Sequence, residues 1–311
     1  MPTRESQAPS PSLTTGMEPE NAIPVRHPGR WAAAVAVAVM SAMLWNATVN
    51  NPRMEWAIVG QYLFDPQILA GLRMTLLLTV LAMAVGLVLG TVVAVMRMSE
   101  NPLVRTAAQL YVWLFRSTPL IVQLLFWFYL AAVMPTLGLG IPFGPEWITF
   151  DTSLLISQIT AAVLGLGLCE AAYTAEIVRA GILSVSKGQF EAGEALGMSP
   201  RRVLARIVLP QAMRVIVPPI GNSTISMLKT TALVLVIALP DLLTAAQAIY
   251  SQNLAQIPLL TVATAWYVFI VTVLTLVQNR IERKFSAGVA GVTRSRVRRR
   301  TLTAALSGGF R

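Results

Sequence analysis

The sequence predicts an all-α fold: a polytopic bundle of about six membrane-spanning helices with both termini in the cytoplasm. Three observations lead there. The first is bulk composition. Among 311 residues, 55% are apolar and only 12% charged, with a mean hydropathy of +0.64. A soluble domain carries about 25% charged residues, so this chain has too little charge to cover a water-facing surface of its size. That excludes disorder as the main state and argues against a cytosolic enzyme. The second is the presence of six apolar stretches near the ~20 residues a spanning helix needs. The third is the sorting of Lys and Arg to one side of those stretches.

The first span runs from Trp31 to about Val49, and its apolar core before Asn46 is short. A cleaved signal peptide is disfavoured there, because a polar tail precedes it and no A-x-A-like site follows. The second span covers about Met74 to Met96 and the third about Ala107 to Val133. The fourth covers Leu154 to Val178, the fifth Val215 to Leu239 and the sixth Leu259 to Val277. Gly86 and Gly90 form a GxxxG in the second span, a spacing that allows close helix approach but is common by chance.

Basic residues fix the orientation. The tail before the first span holds Arg4, Arg26 and Arg30, and the loop after the second holds Arg97 and Arg105. Six lie between the fourth and fifth spans, from Arg179 to Arg214, and nine follow the sixth. Only Arg53 and Arg73 fall on the opposite side, with Glu55, Asp65, Glu146, Asp151 and Asp241. This bias places both termini in the cytoplasm, and an odd number of spans would scramble it. Residues 1–30 read as a disordered cytoplasmic tail and 286–311 as a basic tail near anionic lipid. The +10 net charge therefore reads as membrane orientation rather than nucleic-acid binding. With Cys169 the only cysteine and His27 the only histidine, no intrachain disulfide forms and a metal site is hard to build.

Residues 181–213 are polar enough to leave the bilayer yet patterned for helix. Ala195, Leu196, Val203, Leu204 and Ile207 supply apolar positions. Ser199 and Pro200 suit an N-cap and first helical position, and Pro210 is expected to stop the run. The expectation is a helix-turn-helix outside the bilayer. It is either a plain linker or a docking element for a soluble partner.

This segment resembles the EAA loop of ABC-importer permeases, whose pattern is Glu-Ala-Ala, three residues, Gly, nine residues, Ile-x-Leu-Pro. Here it reads Glu191-Ala192-Gly193, then Gly197, then Ile207-Val208-Leu209-Pro210, with Gly193 in place of Ala. Further stretches are similar to the polar amino-acid branch: Phe115-Arg116-Ser117-Thr118-Pro119-Leu120 with Gln123, Ala172-Tyr173-Thr174-Ala175-Glu176-Ile177-Val178-Arg179, Gly188-Gln189, Pro210-Gln211-Ala212, and Lys229-Thr230-Thr231-Ala232-Leu233. The likeness covers about residues 66–285 and leaves the helix at 31–49 as an N-terminal addition.

The resemblance implies a type I permease in a bacterial inner membrane, paired as a homo- or heterodimer. Its coupling residues would be Glu191, Ala192, Gly193, Gly197, Arg201, Arg202, Ile207, Leu209 and Pro210. The implied partners are cytoplasmic ATP-binding cassette subunits and an extracytoplasmic solute-binding protein. ATP and Mg would be held by the ATPase. This chain binds no cofactor of its own and has no G-x-x-x-x-G-K-S/T phosphate cradle. Glu191 reads either as a cap near a helix start or also as a contact to basic groups on the ATPase.

Four charged residues fall within spans: Arg116, Glu170, Glu176 and Lys229. Each costs roughly 2.5–3.5 kcal/mol at a helix centre, so each should face the bundle interior or water. Glu176 and Arg179 stand three apart and suit a structural ion pair. Glu170, with Tyr173 and Thr174 on its face, has no local cation and is a candidate for an α-ammonium group. Lys229 is a candidate for the α-carboxylate, with Asn222, Ser226 and Thr230 nearby. Equally, Glu170 and Lys229 pair with each other or with neighbouring helices. Arg116 either contacts substrate or ties its span to Glu176. The competing functions are a self-contained secondary transporter, an ABC permease for another small polar solute, and an intramembrane enzyme. The last lacks a metal cluster, a G-x-S-x-G elbow and any histidine in a span.

Overall fold

A computed structural model describes residues 28–140 and 146–286. The expected tails fall almost wholly outside those residues. The chain divides into two units, one ending at Met54 and one beginning at Glu55. The first contains helix α1 (Pro28–Val49) and a 3₁₀ turn at Pro52–Met54. All other elements belong to the second.

After the short α2 (Trp56–Tyr62) comes α3 (Pro66–Arg97), 32 residues long. It starts well before the expected Met74. The Asp65 carboxylate caps it by accepting from Gln67 N at 2.8 Å, with Pro66 at the first helical position. At about 48 Å, α3 exceeds the ~30 Å hydrocarbon layer.

The third expected span is not one helix. α4 (Pro102–Ser117) and α5 (Leu120–Phe128) meet at 102°. Pro119 has no N–H to continue the ladder, and it pushes Thr118 into extended backbone. The buried Gln123 fastens the elbow: its Nε2 donates to Phe115 O at 3.0 Å and to Thr118 Oγ1 at 2.8 Å. Counting this bent pair as one crossing, six spans exist among the described residues.

Beyond α6 (Leu130–Val133), strands β1 (Thr136–Gly140) and β2 (Glu146–Asp151) form an antiparallel pair, with Thr136 opposite Asp151. Asp151 then caps α7 (Thr152–Leu155), and the hydrogen bonds from Ser153 hold its carboxyl below the usual range.

The central helix is α8 (Gln158–Leu183), capped by Ser157. It packs along α3 through glycines. A Cβ on Gly90 would sit 2.6 Å from Thr174 Cβ, and one on Gly167 would sit 2.8 Å from Val85 Cγ1. The GxxxG of the second span is therefore the contact line itself.

Next come α9 (Lys187–Ala195), α10 (Pro200–Val203), a π turn at Leu204–Val208, α11 (Leu209–Thr230) and a 3₁₀ segment at Thr231–Ile237. The expected stop at Pro210 does not occur, and one helix runs from Pro200 to Ile237. The π turn is the reason: Leu209 N–H reaches back five residues to Leu204 O, which absorbs the register change just before the proline. The turn expected in residues 181–213 is thus present only between α9 and α10.

α12 (Leu242–Asn253) and α13 (Gln256–Ser286) complete the bundle. Asp241, taken from sequence as one of the acids of the exterior side, is fully buried there. Its carboxylate caps α12 through Thr244 N and Oγ1 and accepts from Tyr267 at 3.4 Å. Burial raises its pKa.

Three apolar clusters follow the bundle axis. Ala94, Ala175, Val203 and Ala212 lie at the cytoplasmic end. Leu78, Leu124, Leu166 and Val234 lie in the middle. Ile68, Leu242, Leu259 and Val262 lie at the exterior end.

Candidate functional site

A cavity of about 590 Å³ opens between the middle of α8 and the C-terminal half of α11. That size is within the roughly 300–1,000 Å³ of small-molecule pockets. Glu170 and Tyr173 line it from α8; Asn222, Ser223, Ser226 and Thr230 line it from α11. Five sequence candidates are thereby brought together: Glu170, Tyr173, Asn222, Ser226 and Thr230.

Glu170 is buried at 8% exposure and forms no ion pair with any described residue. Its Oε1 accepts from Thr174 Oγ1 at 3.3 Å, and Ser223 faces the same carboxylate. Thr174 is fully buried and stands outside the lining, so it positions Glu170 rather than meeting a solute. Gly86 packs on the same group: an added Cβ would lie 2.6 Å from Glu170 Cγ. Gly86→Ala is expected to destabilise the bundle by about 1–3 kcal/mol through overpacking. Thermal unfolding in detergent checks this, and an unchanged midpoint would contradict the close approach.

Lys229 is exposed and does not line the cavity. The cavity face of α11 advances through Pro219, Asn222, Ser223, Ser226 and Thr230; Lys229 lies close to that face, about one turn beyond Ser226, with its side chain exposed. No Glu170–Lys229 ion pair is present among the described residues. Ser223 was missed by sequence reading, although it continues this i, i+3, i+4 series and was legible from it.

Arg116 also stands apart from the cavity. It lines a second cleft of about 450 Å³ with Arg97, Gln109, Tyr173 and Glu176. Glu176 is the centre of this cleft. Arg97 Nη1 lies 2.6 Å from its Oε1, Arg116 Nη1 3.4 Å from the same oxygen, and Arg179 Nη2 3.3 Å from Oε2. The expected Glu176–Arg179 pair is present, but Arg97, counted from sequence as a loop charge, holds the shortest contact. Its signal was its place as the last residue of the apolar run, where a long side chain turns inward as readily as out. The Arg116 guanidinium also covers the Tyr173 ring at 5.3 Å. Tyr173 is therefore the wall shared by cleft and cavity.

In the cytoplasmic segment, Ser186 is the N-cap of α9 and Glu191 lies in its second turn, so Glu191 is not a cap. Ser199 and Pro200 stand where expected, although the Ser199 side chain makes no capping bond. Gly197 has φ +72°, Met198 N donates to Gly193 O at 3.1 Å, and Gly197 N donates to Glu194 O at 2.8 Å. This is the left-handed turn that ends a helix on glycine. Gly193 faces Val203, where a Cβ would come within 2.7 Å. The Gly that replaces the pattern's Ala at this position lets α9 lie flat on the helix that begins at Pro200. Arg201 and Arg202 are exposed on that helix, and Val208 and Ala212 anchor it in the cytoplasmic core.

Known proteins are similar to this chain in sequence and fold. The arginine transport system permease protein ArgU of Corynebacterium glutamicum is 43% identical over 287 residues, covering 91% of this chain and 88% of that protein. The L-cystine transport system permease protein TcyB of Bacillus subtilis is 37% identical, covering 76% of this chain and 94% of its own length. The glutamine transport system permease protein GlnP of Escherichia coli K12 is 31% identical, covering 75% and 98%. Among solved structures, an amino acid ABC transporter with histidines superposes with a TM-score of 0.62 at 32% identity, covering 73% of this chain and 98% of that one. An inward-facing methionine ABC transporter, at 20% identity, shares the fold with a TM-score of 0.53. Residues 86–287 match the family described as binding-protein-dependent transport system inner membrane component. The chain belongs to that family: it is the membrane permease subunit of an ABC importer, a transport component rather than an enzyme, which works with an ATPase and a solute-binding protein.

Proposed function

We propose that this permease carries polar amino acids across the bacterial cytoplasmic membrane, as a multi-pass subunit paired with a second permease copy or a similar chain. The observation that carries the reading is the Glu170 cavity, a buried carboxylate without a cation, ringed by neutral donors. A buried carboxylate without a counter-ion is costly, and a solute ammonium placed against it offsets part of that cost. The relatives named for arginine, cystine and glutamine support the amino-acid class. Arginine is the first substrate to try, because it adds a second cation. A separate apolar groove of about 530 Å³ has a largely aliphatic lining, including Met213, Ile220, Leu274 and Ile281, and offers a zwitterion little.

In this reading α9 and α10 dock on the cytoplasmic ATPase, which holds ATP and Mg, and the extracytoplasmic binding protein delivers solute at the other end. Glu170→Gln is expected to lower arginine uptake by about tenfold or more, since a charge-assisted bond becomes a neutral one. The measurement is ATP-driven uptake in proteoliposomes with the ATPase and binding protein present. Uptake equal to wild type would reject the site.

A further inference from the structure

The cleft around Glu176 has no part in solute transport as read above. Three guanidiniums meet one carboxylate there, which leaves the cleft cationic. They bring far more N–H donors than the two oxygens of Glu176 can accept. Arg97 Nη1 is committed to Glu176 Oε1 at 2.6 Å, but Arg97 Nε is buried without a hydrogen-bond acceptor among the described residues. Arg116 is the most open of the three, with 44% of its side chain exposed and the longest contact to Glu176, at 3.4 Å. Gln109 and Ser117 of α4 add neutral donors, and among the described residues Glu176 is the only acid in the lining.

The position of the cleft decides which anion suits it. Arg97 is the last residue of α3, and Val112 joins the lining to the apolar cluster of the cytoplasmic end. Basic pockets between spans on that side suit the headgroups of anionic lipid, which the cytoplasmic leaflet concentrates. Trp113 also lines the cleft and is 63% exposed, and Leu110 and Leu114 continue the same exposed strip of α4 at helical spacing. A tryptophan beside apolar side chains is favoured at a membrane–water boundary. We propose that the cleft holds the headgroup phosphate of an anionic phospholipid of the cytoplasmic leaflet, with its acyl chains along Leu110, Trp113 and Leu114. Arg116 offers a planar fork to two phosphate oxygens. Arg97 and Arg179 keep Glu176 paired and supply the surrounding positive charge. A free phosphate would satisfy the guanidiniums but leave the apolar strip uncovered. The Glu170 cavity and its solute take no part.

The test uses the permease–ATPase complex in a neutral detergent, titrated with dioctanoyl-phosphatidylglycerol and with the phosphatidylcholine of the same chains. Native mass spectrometry counts the bound lipid. Wild type is expected to bind phosphatidylglycerol about tenfold more tightly than phosphatidylcholine. Glycerophosphate at the same concentration is expected not to displace it. R116Q is expected to abolish the preference through loss of phosphatidylglycerol affinity alone. Q109E is the second variant: it adds a carboxylate to the cleft, removes no ion pair, and is expected to abolish the preference too. Equal affinities in wild type overturn the assignment. So does a preference that survives either variant, which places the anionic lipid elsewhere, such as on the basic residues that follow α13. Displacement by glycerophosphate would make this a site for soluble phosphate and overturn the lipid. If both lipids weaken together in R116Q, the bundle has loosened, and Q109E alone decides.

Discussion

Glu176→Gln is expected to destabilise the folded bundle by about 3 kcal/mol, the lower end of what breaking a buried ion pair costs. The lower end applies because the Glu176 side chain is 27% exposed. The cause is convergence. Arg97 ends α3, Arg116 is near the end of α4 and Arg179 is on α8, so one carboxylate ties three helices. Removing it leaves three guanidiniums facing each other. Arg97→Gln should be milder, at about 1–2 kcal/mol, since Arg116 and Arg179 remain. The two variants share a contact, so the double variant should fall short of additivity by about 1 kcal/mol or more. Chemical unfolding of the purified chain in detergent measures all three. Strict additivity would show that the 2.6 Å contact carries no coupling.

The second large effect is expected at Gly193. Leu in its place must occupy the space held by Val203 and Ile207, lifting α9 off the helix that begins at Pro200. Overpacking of about 1–3 kcal/mol translates to a roughly ten- to hundred-fold loss in affinity for the ATPase if this segment is the docking surface. Val203 also belongs to the cytoplasmic apolar cluster, so unfolding of the purified permease in detergent is measured alongside, to separate lost docking from a loosened bundle. Gly193→Ala, the residue of the related pattern, should have a smaller effect of the same sign, because its Cβ meets a Val203 methyl at 2.7 Å and that side chain must shift. Co-purification of the ATPase reads the result; full retention by Gly193→Leu would place docking elsewhere.

Much of the fold was legible because the bilayer enforces simple rules. Apolar length and charge sorting gave the number of crossings and their direction, and both depend on transfer energies that tertiary context barely alters. Features set by single backbone groups were harder to read. Thr118–Pro119 lies inside a continuous apolar run, so the run's length concealed a right-angled break. Pro210 looked like a terminator because a π turn five residues long is not encoded by any periodicity. The strands at Thr136–Gly140 and Glu146–Asp151 are short and flank a Gly- and Pro-rich stretch that hydropathy treats as loop. For the candidate site, Glu170 stood out in the sequence because a lone acid in a span is expensive, and the structure places it buried beside a cavity. Lys229 shares a helix face with Asn222 and Ser226, as the sequence suggests, but its side chain is exposed and does not line the cavity, which composition alone does not reveal. The role of Arg97 depended on where three helices end relative to each other, which is a tertiary fact.

The unbroken helix from Pro200 to Ile237 has a mechanical consequence. It carries Arg201 and Arg202 at one end and Ser223, Ser226 and Thr230 beside the cavity, roughly 32–43 Å further on. It is a lever, and its two compliant points are known: the over-wide turn at Leu204–Val208 and the pair Pro218–Pro219, where two backbone donors are missing. The second lies one turn from Asn222 and Ser223. If the proposed docking and solute site hold, a push at the cytoplasmic tip would bend α11 beside the cavity while α8, packed against α3 through its glycines, holds Glu170.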